Sequence, residues 1–431
     1  MWFMVRNVGK KQLSVWAKLY ASSGALVIVG LVLMYWSQSI YFVAGNAIRV
    51  GSIVAGFFLI MLASIIRAKF SVLNHLPMLL LSGAYFVALA LLSKVQNHAI
   101  VYDSTQIVFN IMCLMLFCAG YVLAVEKGED FLSSKHWSFV VVALVAAVAL
   151  MAFMRFVKQI SFAGASRDYA ETGLNPVGVA YANMCLSLIF LVLGVLSESV
   201  WRKVLYILVG SLASFIVLSS ASKGAVLWGA GAIVYFVILT RHRRYFSLKN
   251  LGFLFLGIAI VVPILFVFYK TNYGIAERID VLIDRFELMF LSLAGGPVTD
   301  GSSMSREYMW LSYLNSLSEW VFLGERNYQG YPHNQWLEML VRFGLLGLPM
   351  LFMSILVLSN LMWRTLRFRF HPDLEYSVIA TLFVFSYLQS MSSLSLHMNR
   401  ALWLGFGYFL GYMFVNRRRM KRNMPMRIHT H

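Results

Sequence analysis

Two residues in the last third of the chain, Arg306 and His333, have side chains that together could hold an anion and accept a proton. Arg306 lies four residues before Trp310, so in a helix the guanidinium and the indole would share one face. We expect the indole to anchor in the membrane interface and the guanidinium to point at a ligand. His333 follows a Tyr-Pro pair, where a neutral imidazole in a partly dehydrated site could accept a proton from an attacking hydroxyl.

The residues after His333 also allow a structural interpretation of this stretch. His333 and Asn334 could cap the helix that follows them, with Asn334 better suited to bind its open N–H groups. Glu338 lies five residues after His333, and orienting a neighbouring polar group suits it better than an acid/base pair with the histidine. The candidate substrate-binding residues of this stretch are Asn334, Trp310 and Glu338.

Further cations are predicted near the outer ends of membrane spans, where a basic pocket could bind a lipid-linked anion. Lys223 lies in a serine-rich turn between two spans, and Arg167 lies in an external segment, 156–175. Arg278 and Arg285 either join such a pocket or form the solvated face of an amphipathic helix. Contact with headgroups or nearby carboxylates is the preferred interpretation for Arg155, Lys158, Arg326 and Arg400.

The composition predicts an all-α, polytopic membrane protein. Hydrophobic residues make up 60% of the chain and charged residues 13%, and the mean hydropathy is +0.73. Apolar runs near the roughly 20 residues that cross a bilayer recur along the chain and predict about twelve helices. The predicted spans are 15–36, 48–66, 74–93, 104–125, 138–156, 176–197, 204–221, 224–240, 250–269, 337–363, 376–395 and 400–416.

The distribution of basic residues predicts the orientation of these spans. An even number of spans places both ends of the chain on one side, and positively charged short loops stay in the cytoplasm. With both ends inside, 23 of the 36 lysines and arginines fall on the inner side, which favours an N-in, C-in topology. The net charge of +18 is thus explained by topology, and no nucleic-acid partner is expected.

The chain divides into three predicted regions. Residues 1–269 hold spans one to nine with short loops, 270–336 form one large external loop, and 337–431 hold the last three spans and a basic tail. Apolar residues at helical spacing predict two short helices in the external loop, Ile275–Phe290 and Ser305–Phe322, with turn residues between them. All three cysteines fall inside predicted spans and indicate neither a disulfide framework nor a metal cluster.

Three ordered motifs in this setting resemble the O-antigen polymerase and ligase superfamily. They are the Ser-x-Ser-Lys-Gly turn at 220–224, the Arg-x-x-x-Trp helix at 306–310, and the His-Asn-x-x-Leu segment at 333–337 followed by Gly-Leu-Leu-Gly at 344–347. The resemblance covers most of the chain in topology. It implies a metal-independent, cofactor-free glycosyltransferase of the bacterial inner membrane, whose active site faces the periplasm and whose donor is a glycan on undecaprenyl diphosphate.

The resemblance also implies roles for individual residues. Lys223 and Arg306 match the cations that hold the diphosphate, and His333 matches the residue that assists the acceptor hydroxyl. The family usually has arginine where this chain has Lys223, and lysine supplies a point charge without the bidentate fork. A chain-length regulator or other polysaccharide-assembly proteins are the expected partners, together with the lipid bilayer.

Three functions remain open from the sequence. The interval of 27 residues between Arg306 and His333 looks more like a polymerase of lipid-linked repeat units than a ligase that transfers the polymer to lipid A-core. A transporter of lipid-linked glycans shares the twelve-span plan, but the chain shows no half-to-half similarity and concentrates its polarity in one external loop. A structural scaffold is a further, less favoured alternative. The chain carries no Walker-type or Asp-x-Asp signature.

Overall fold

The computed structural model describes thirteen α-helices and one short 3₁₀ segment, with no strand among the described residues. The residues that it describes are 10–68, 76–95, 104–126, 176–241, 252, 259, 262–263, 266–294, 301–326, 332–367, 372–393 and 399–423. The helices are α1 Lys10–Arg67, α2 Leu76–Val95, α3 Ser104–Val125, α4 Pro176–Leu196, α5 Val200–Ser219, α6 Lys223–Thr240, α7 Tyr273–Leu293, α8 Gly301–Asn315, α9 Leu317–Trp320, α10 Gln335–Phe343, α11 Leu348–Leu366, α12 Leu374–Ser390 and α13 Arg400–Asn423.

Among the described residues, five helical stretches are long and apolar enough to cross a membrane. They are Ala47–Arg67, Val177–Leu196, Val200–Ser219, Lys223–Thr240 and Gln335–Leu366. Shorter apolar helices cover Ser23–Ser37, Leu76–Leu92 and Asn110–Val125. These lengths and compositions agree with a helical membrane protein. The expected span 138–156 lies outside the described residues, and so does most of 250–269.

Helix α1 folds back on itself, as two neighbouring spans would. The Ser52 hydroxyl donates to the Leu33 carbonyl at 2.9 Å, and the backbones of Gly30 and Gly56 come into direct contact. Residues 26 positions apart in a straight helix would lie about 39 Å apart, so these contacts require a reversal between the two arms. The arms correspond to the predicted spans 15–36 and 48–66.

The core is built around α12, almost all of whose residues are buried. Helices α4 and α5 pack side by side, and the hydroxyls of Ser187 and Ser214 are 2.7 Å apart between them. Helices α3 and α13 approach so closely that a Cβ at Gly120 or Gly407 would collide with the other helix's backbone. Small residues at such contacts give apolar helices their closest packing.

The two ends of the bundle differ in their connections. We call the end where α5 meets α6 the site end, and the other the opposite end. At the opposite end Arg67 forms a buried bidentate pair with Glu375, at 2.9 and 2.5 Å, and also donates to the Ser23 hydroxyl and the Leu123 carbonyl. This arginine joins both arms of α1 to α3 and α12.

The predicted span 337–363 is divided in the structure. Helix α10 ends at Phe343, a 3₁₀ segment follows over Gly344–Gly347, and α11 begins at Leu348. Gly344 has a φ of +56°, which glycine adopts without a steric penalty. A positive φ does not fit a right-handed helix, so the regular helix ends there. Helix α11 alone, with 19 residues, is about 28 Å long and nearly crosses a hydrocarbon core.

The two helices predicted in the external loop are present with shifted bounds. The first is α7, Tyr273–Leu293. The second is interrupted at Ser316, so that α8 and the single turn α9 replace one continuous helix. The Ser316 hydroxyl donates to the Ser312 carbonyl at 3.0 Å, the kind of local bond that competes with helix continuation. The turn predicted between the two helices covers 294–303, and its last three residues, 301–303, already belong to α8.

Candidate functional site

The candidate site lies at the site end of the bundle, where four separate stretches of chain meet. They are the α5–α6 turn, helix α8, the Pro332–Asn334 segment before α10, and the Met391–Ser393 turn after α12. Lys223, Arg306 and His333 are all partly exposed there.

Lys223 stands at the start of α6, directly after the tight hairpin that the sequence predicted. The preceding Ala221 has a φ of +51°, an unfavourable conformation for a residue with a Cβ. A Cβ at Gly224 would collide with the Tyr181 hydroxyl and meet the Ser393 hydroxyl at 3.8 Å, so glycine is needed here for close approach. The hairpin is therefore seated against α4 and the end of α12.

His333 is the second non-glycine residue with a positive φ, at +53°, in the described part of the chain. Its neighbour Asn334 caps α10, because the Asn334 Oδ1 accepts the backbone N–H groups of Trp336 and Leu337 at 3.0 and 3.2 Å. The predicted capping role of Asn334 is thus present, and this oxygen is already used within the protein. His333 itself hydrogen-bonds the backbone of Ser392.

Two hydrogen bonds fix the start of α10 on α12. The Trp336 indole donates to the Tyr387 hydroxyl at 2.7 Å, and the Ser390 hydroxyl donates to the Gln335 side-chain oxygen at 2.6 Å. Because α10 begins two residues after His333, these bonds also restrict where the imidazole can lie.

Helix α8 brings Arg306 to the histidine. One turn after Arg306, the Trp310 indole donates to the Pro332 carbonyl, which fastens α8 to the segment that holds His333. The indole N–H of Trp310 thus has a partner within the protein, and the anchoring of this side chain in the membrane interface stays a prediction. The shared face predicted for Arg306 and Trp310 is turned towards the His333 segment, because Trp310 bonds Pro332 and the Arg306 guanidinium lowers the pKa of His333.

The electrostatics favour a neutral imidazole at His333. Partial burial lowers its pKa from the ordinary value, and the nearby Arg306 guanidinium lowers it further, while the hydrogen bond to Ser392 acts in the opposite direction. An imidazole that is neutral at neutral pH can accept a proton, and the adjacent guanidinium can neutralise an anion.

Sequence reasoning missed the polar residues that complete the site. The buried Tyr181 lies beside Arg306 and the hydroxyls of Ser392 and Ser393. The Trp228 indole donates to the Ser392 hydroxyl at 2.6 Å. The local sequence signal for this part of the site is the serine pair near the end of the predicted span 376–395.

The arginines of α7 take structural positions. The Arg285 guanidinium donates to the Ala221 carbonyl at 2.7 Å and so supports the strained residue of the hairpin. Arg278 is only 5% exposed, which excludes the solvated face considered for it. Diphosphate contact by these two residues stays a prediction.

Glu338 points into a second polar cluster. It is fully buried, its carboxylate lies 3.8 Å from the Arg342 guanidinium, and it raises the pKa of the Tyr313 hydroxyl on α8. The pKa of Tyr313 is raised to about 12, mainly by burial, next by Glu325 and least by Glu338. Arg342 is thus a charged neighbour of Glu338, and the orienting role expected for this carboxylate stays a prediction.

Arg167 and the rest of segment 156–175 lie outside the described residues. No group of three or more histidine, cysteine, aspartate or glutamate side chains in the described part of the chain is arranged to hold a metal ion.

Comparison of the chain with protein families, with curated proteins and with solved structures finds no match. The geometry of the site therefore has to support a function by itself.

Proposed function

We propose that this protein is a membrane glycosyltransferase that polymerises oligosaccharide repeat units carried on undecaprenyl diphosphate. The observation that carries the proposal is the pairing of Arg306 with His333. The guanidinium lies close enough to lower the pKa of a partly buried imidazole, so a cation and a neutral base share one small site. A transporter would need a site for binding and release, but it would not need a neutral base beside the cation.

The proposed reaction uses these two groups together. The acceptor hydroxyl attacks the anomeric carbon of the donor, its new C–O bond forms as the bond to the diphosphate breaks, and the electron pair leaves with the diphosphate. His333 takes the hydroxyl proton, and Arg306 with Lys223 neutralises the departing diphosphate. Because the diphosphate is a good leaving group, holding and orienting the reactants supplies most of the remaining catalysis.

The proposed topology has twelve spans, both chain ends in the cytoplasm of a bacterium, and the site facing the periplasm across the inner membrane. The basic residues of the described helix ends support this orientation. Arg67, Arg241, Arg364 and Arg367 all lie at the opposite end, where the Arg241 guanidinium donates to the Leu366 carbonyl at 3.1 Å. Cytoplasmic ends of membrane helices carry such an excess of basic residues.

Polymerisation is proposed over ligation because the interval from Arg306 to His333 is short. A chain-length regulator is a proposed partner on the same basis. Ligation to lipid A-core would use the same cation and base with a different acceptor.

Complementation of a null strain tests the proposal. We expect wild type to restore polymerised surface glycan on glycolipid gels, and His333→Gln to lower the rate of transfer by about 10²- to 10⁴-fold. Arg367→Gln, at an exposed arginine of the opposite end, is the control and should behave as wild type.

The null strain also separates the two family functions. Lipopolysaccharide capped with a single repeat indicates a lost polymerase, whereas polymer left on undecaprenyl diphosphate indicates a lost ligase. Normal polymer from His333→Gln, at wild-type protein levels, would refute the proposed chemistry.

A further inference from the structure

Two turns outside the helices present four large apolar side chains on one exposed surface. Phe322 and Leu323 follow α9 and are 69% and 61% exposed, and Leu345 and Leu346 of the 3₁₀ segment are 47% and 42% exposed. We call these four residues the double-turn patch. Phe322 and Leu323 lie outside the stretches that could cross a membrane, and Leu345 and Leu346 lie at the break within Gln335–Leu366. The lipid-facing side of a continuous span therefore does not explain the exposure of the first pair.

The two turns are built as one rigid unit. The Leu345 N–H donates to the Phe322 carbonyl at 3.1 Å, and the Glu325 N–H donates to the Val341 carbonyl at 2.6 Å. Gly324 and Gly344 have φ values of +85° and +56°. A Cβ on Gly344 would collide with the backbone of Phe322, and a Cβ on Gly324 would collide with the backbone of Arg342 at the end of α10. The backbone bonds and the two positive-φ glycines hold the two turns against each other, so the four apolar side chains lie on one surface.

The patch lies at the outer end of α11, where the chain would enter the bilayer. Leu348, Phe352 and Ile355 are exposed at helical spacing along α11, at 45%, 68% and 43%. This stripe begins two residues after Leu346, so the patch continues an apolar face that a spanning helix turns to lipid. Charged residues stand just before and after the first turn, where Glu319 and Arg326 are exposed.

We infer that the double-turn patch is immersed in the outer boundary of the bilayer, with lipid acyl chains as its occupant. The position fits, because α11 by itself accounts for nearly the whole hydrocarbon thickness and the patch begins where that helix begins. The chemistry fits as well, because the patch is uncharged, while the residues flanking its first turn are charged. This inference does not depend on the proposed reaction. Its consequence is that α8 and the His333 segment are held at the level of the membrane surface.

Fluorescence quenching in a lipid bilayer tests the inference. In full-length protein with Cys113, Cys118 and Cys185 replaced by alanine, Leu323→Cys carries an environment-sensitive nitrobenzoxadiazole label. The protein is reconstituted as single copies in nanodiscs of phosphatidylcholine and phosphatidylglycerol. We expect lipid with a nitroxide on the acyl chain to quench this label several-fold more strongly than aqueous iodide does.

Glu319→Cys with the same label is the matched control, since this exposed residue precedes the patch by one turn. We expect iodide to be the stronger quencher there. Equal iodide quenching at 319 and 323 would place the patch in water and overturn the inference. Protection of 323 from both quenchers would also overturn it, because protein would then cover the patch. Leu345→Cys repeats the measurement from the second turn if the first variant fails to fold.

Discussion

Arg67 and Arg306 lie at opposite ends of the bundle and have different surroundings. Arg67 is 1% exposed and makes a bidentate pair with Glu375, supplemented by Ser23 and Leu123. Arg306 is partly exposed, forms no salt bridge with a carboxylate in the described part of the chain, and faces His333 and Tyr181. Arg67 joins helices through its hydrogen bonds, whereas Arg306 lowers the pKa of His333.

The backbone conformation also differs between the two ends. The two non-glycine residues with positive φ among the described residues, Ala221 and His333, both belong to the site end. Such conformations cost of the order of 1–3 kcal/mol each and persist where the surrounding structure enforces them. At the opposite end charge pairing serves stability, whereas at the site end strain and an imidazole beside a guanidinium are tolerated. That contrast is the physical argument for a functional site.

The largest expected effect on stability is at the opposite end. Glu375→Gln should lower the free energy of unfolding by about 3–5 kcal/mol, because it leaves the buried Arg67 without its counter-charge. Thermal unfolding in detergent or nanodiscs measures this loss. The double variant Arg67→Met with Glu375→Leu should lose much less, since no buried charge remains.

Arg306→Gln, measured in the same assay, should change the free energy of unfolding by less than about 0.5 kcal/mol, because Arg306 is partly exposed and does not join helices in the described part of the chain. A loss as large as that of Glu375→Gln would mean that both arginines are structural.

The second prediction concerns the pH dependence of transfer. Arg306→Gln should lower the rate by about 10²- to 10³-fold through lost anion stabilisation, and it should raise the pKa of His333. Wild-type transfer should fall on acidification only near the lowered pKa, because a protonated imidazole cannot accept the proton. In the variant that acidic fall should move to higher pH.

The direction for stability follows from the same shift. His333 takes up its proton at a higher pH in the unfolded chain than in the folded chain. Acidification from the ordinary histidine pKa down to the lowered pKa therefore reduces the free energy of unfolding. Rate profiles of the residual activity, with Arg367→Gln as the control, check the shift. An acidic fall at the same pH in wild type and Arg306→Gln would show that the two groups are not coupled.

The smallest expected effect is at the strained hairpin. Ala221→Gly should raise the free energy of unfolding by roughly 0.5–1 kcal/mol, because glycine adopts a φ of +51° without the Cβ penalty. Ala225→Gly, four residues later inside α6, is the control and should destabilise by about 1 kcal/mol or more. Thermal unfolding reports both. If Ala221→Gly destabilised as much as the control, the hairpin would not be strained.

Local patterns in the sequence predicted much of the secondary structure. The bounds of α3 agree with the predicted span 104–125, and the α5–α6 hairpin and the Asn334 cap also follow the sequence, since each depends on neighbours within a few residues. The break of 337–363 at Gly344 was not predicted, because it depends on contact with the distant Phe322 turn. The burial of Arg278 was missed for the same reason, because helical spacing does not show which face meets the bundle.

The sequence by itself determined that this is an apolar helical protein with one chemically dense loop, because hydropathy and residue types are local properties. Only the tertiary structure decided that Arg306 lies beside His333, that Trp310 fastens their two segments, and that Tyr181 and Ser392 complete the site. The contacts of Tyr181 reach Arg306 and Ser392 across 125 and 211 residues, whereas Trp310 and Pro332 are 22 residues apart. Such long-range contacts arise from helix packing, which leaves no periodic signal in the sequence.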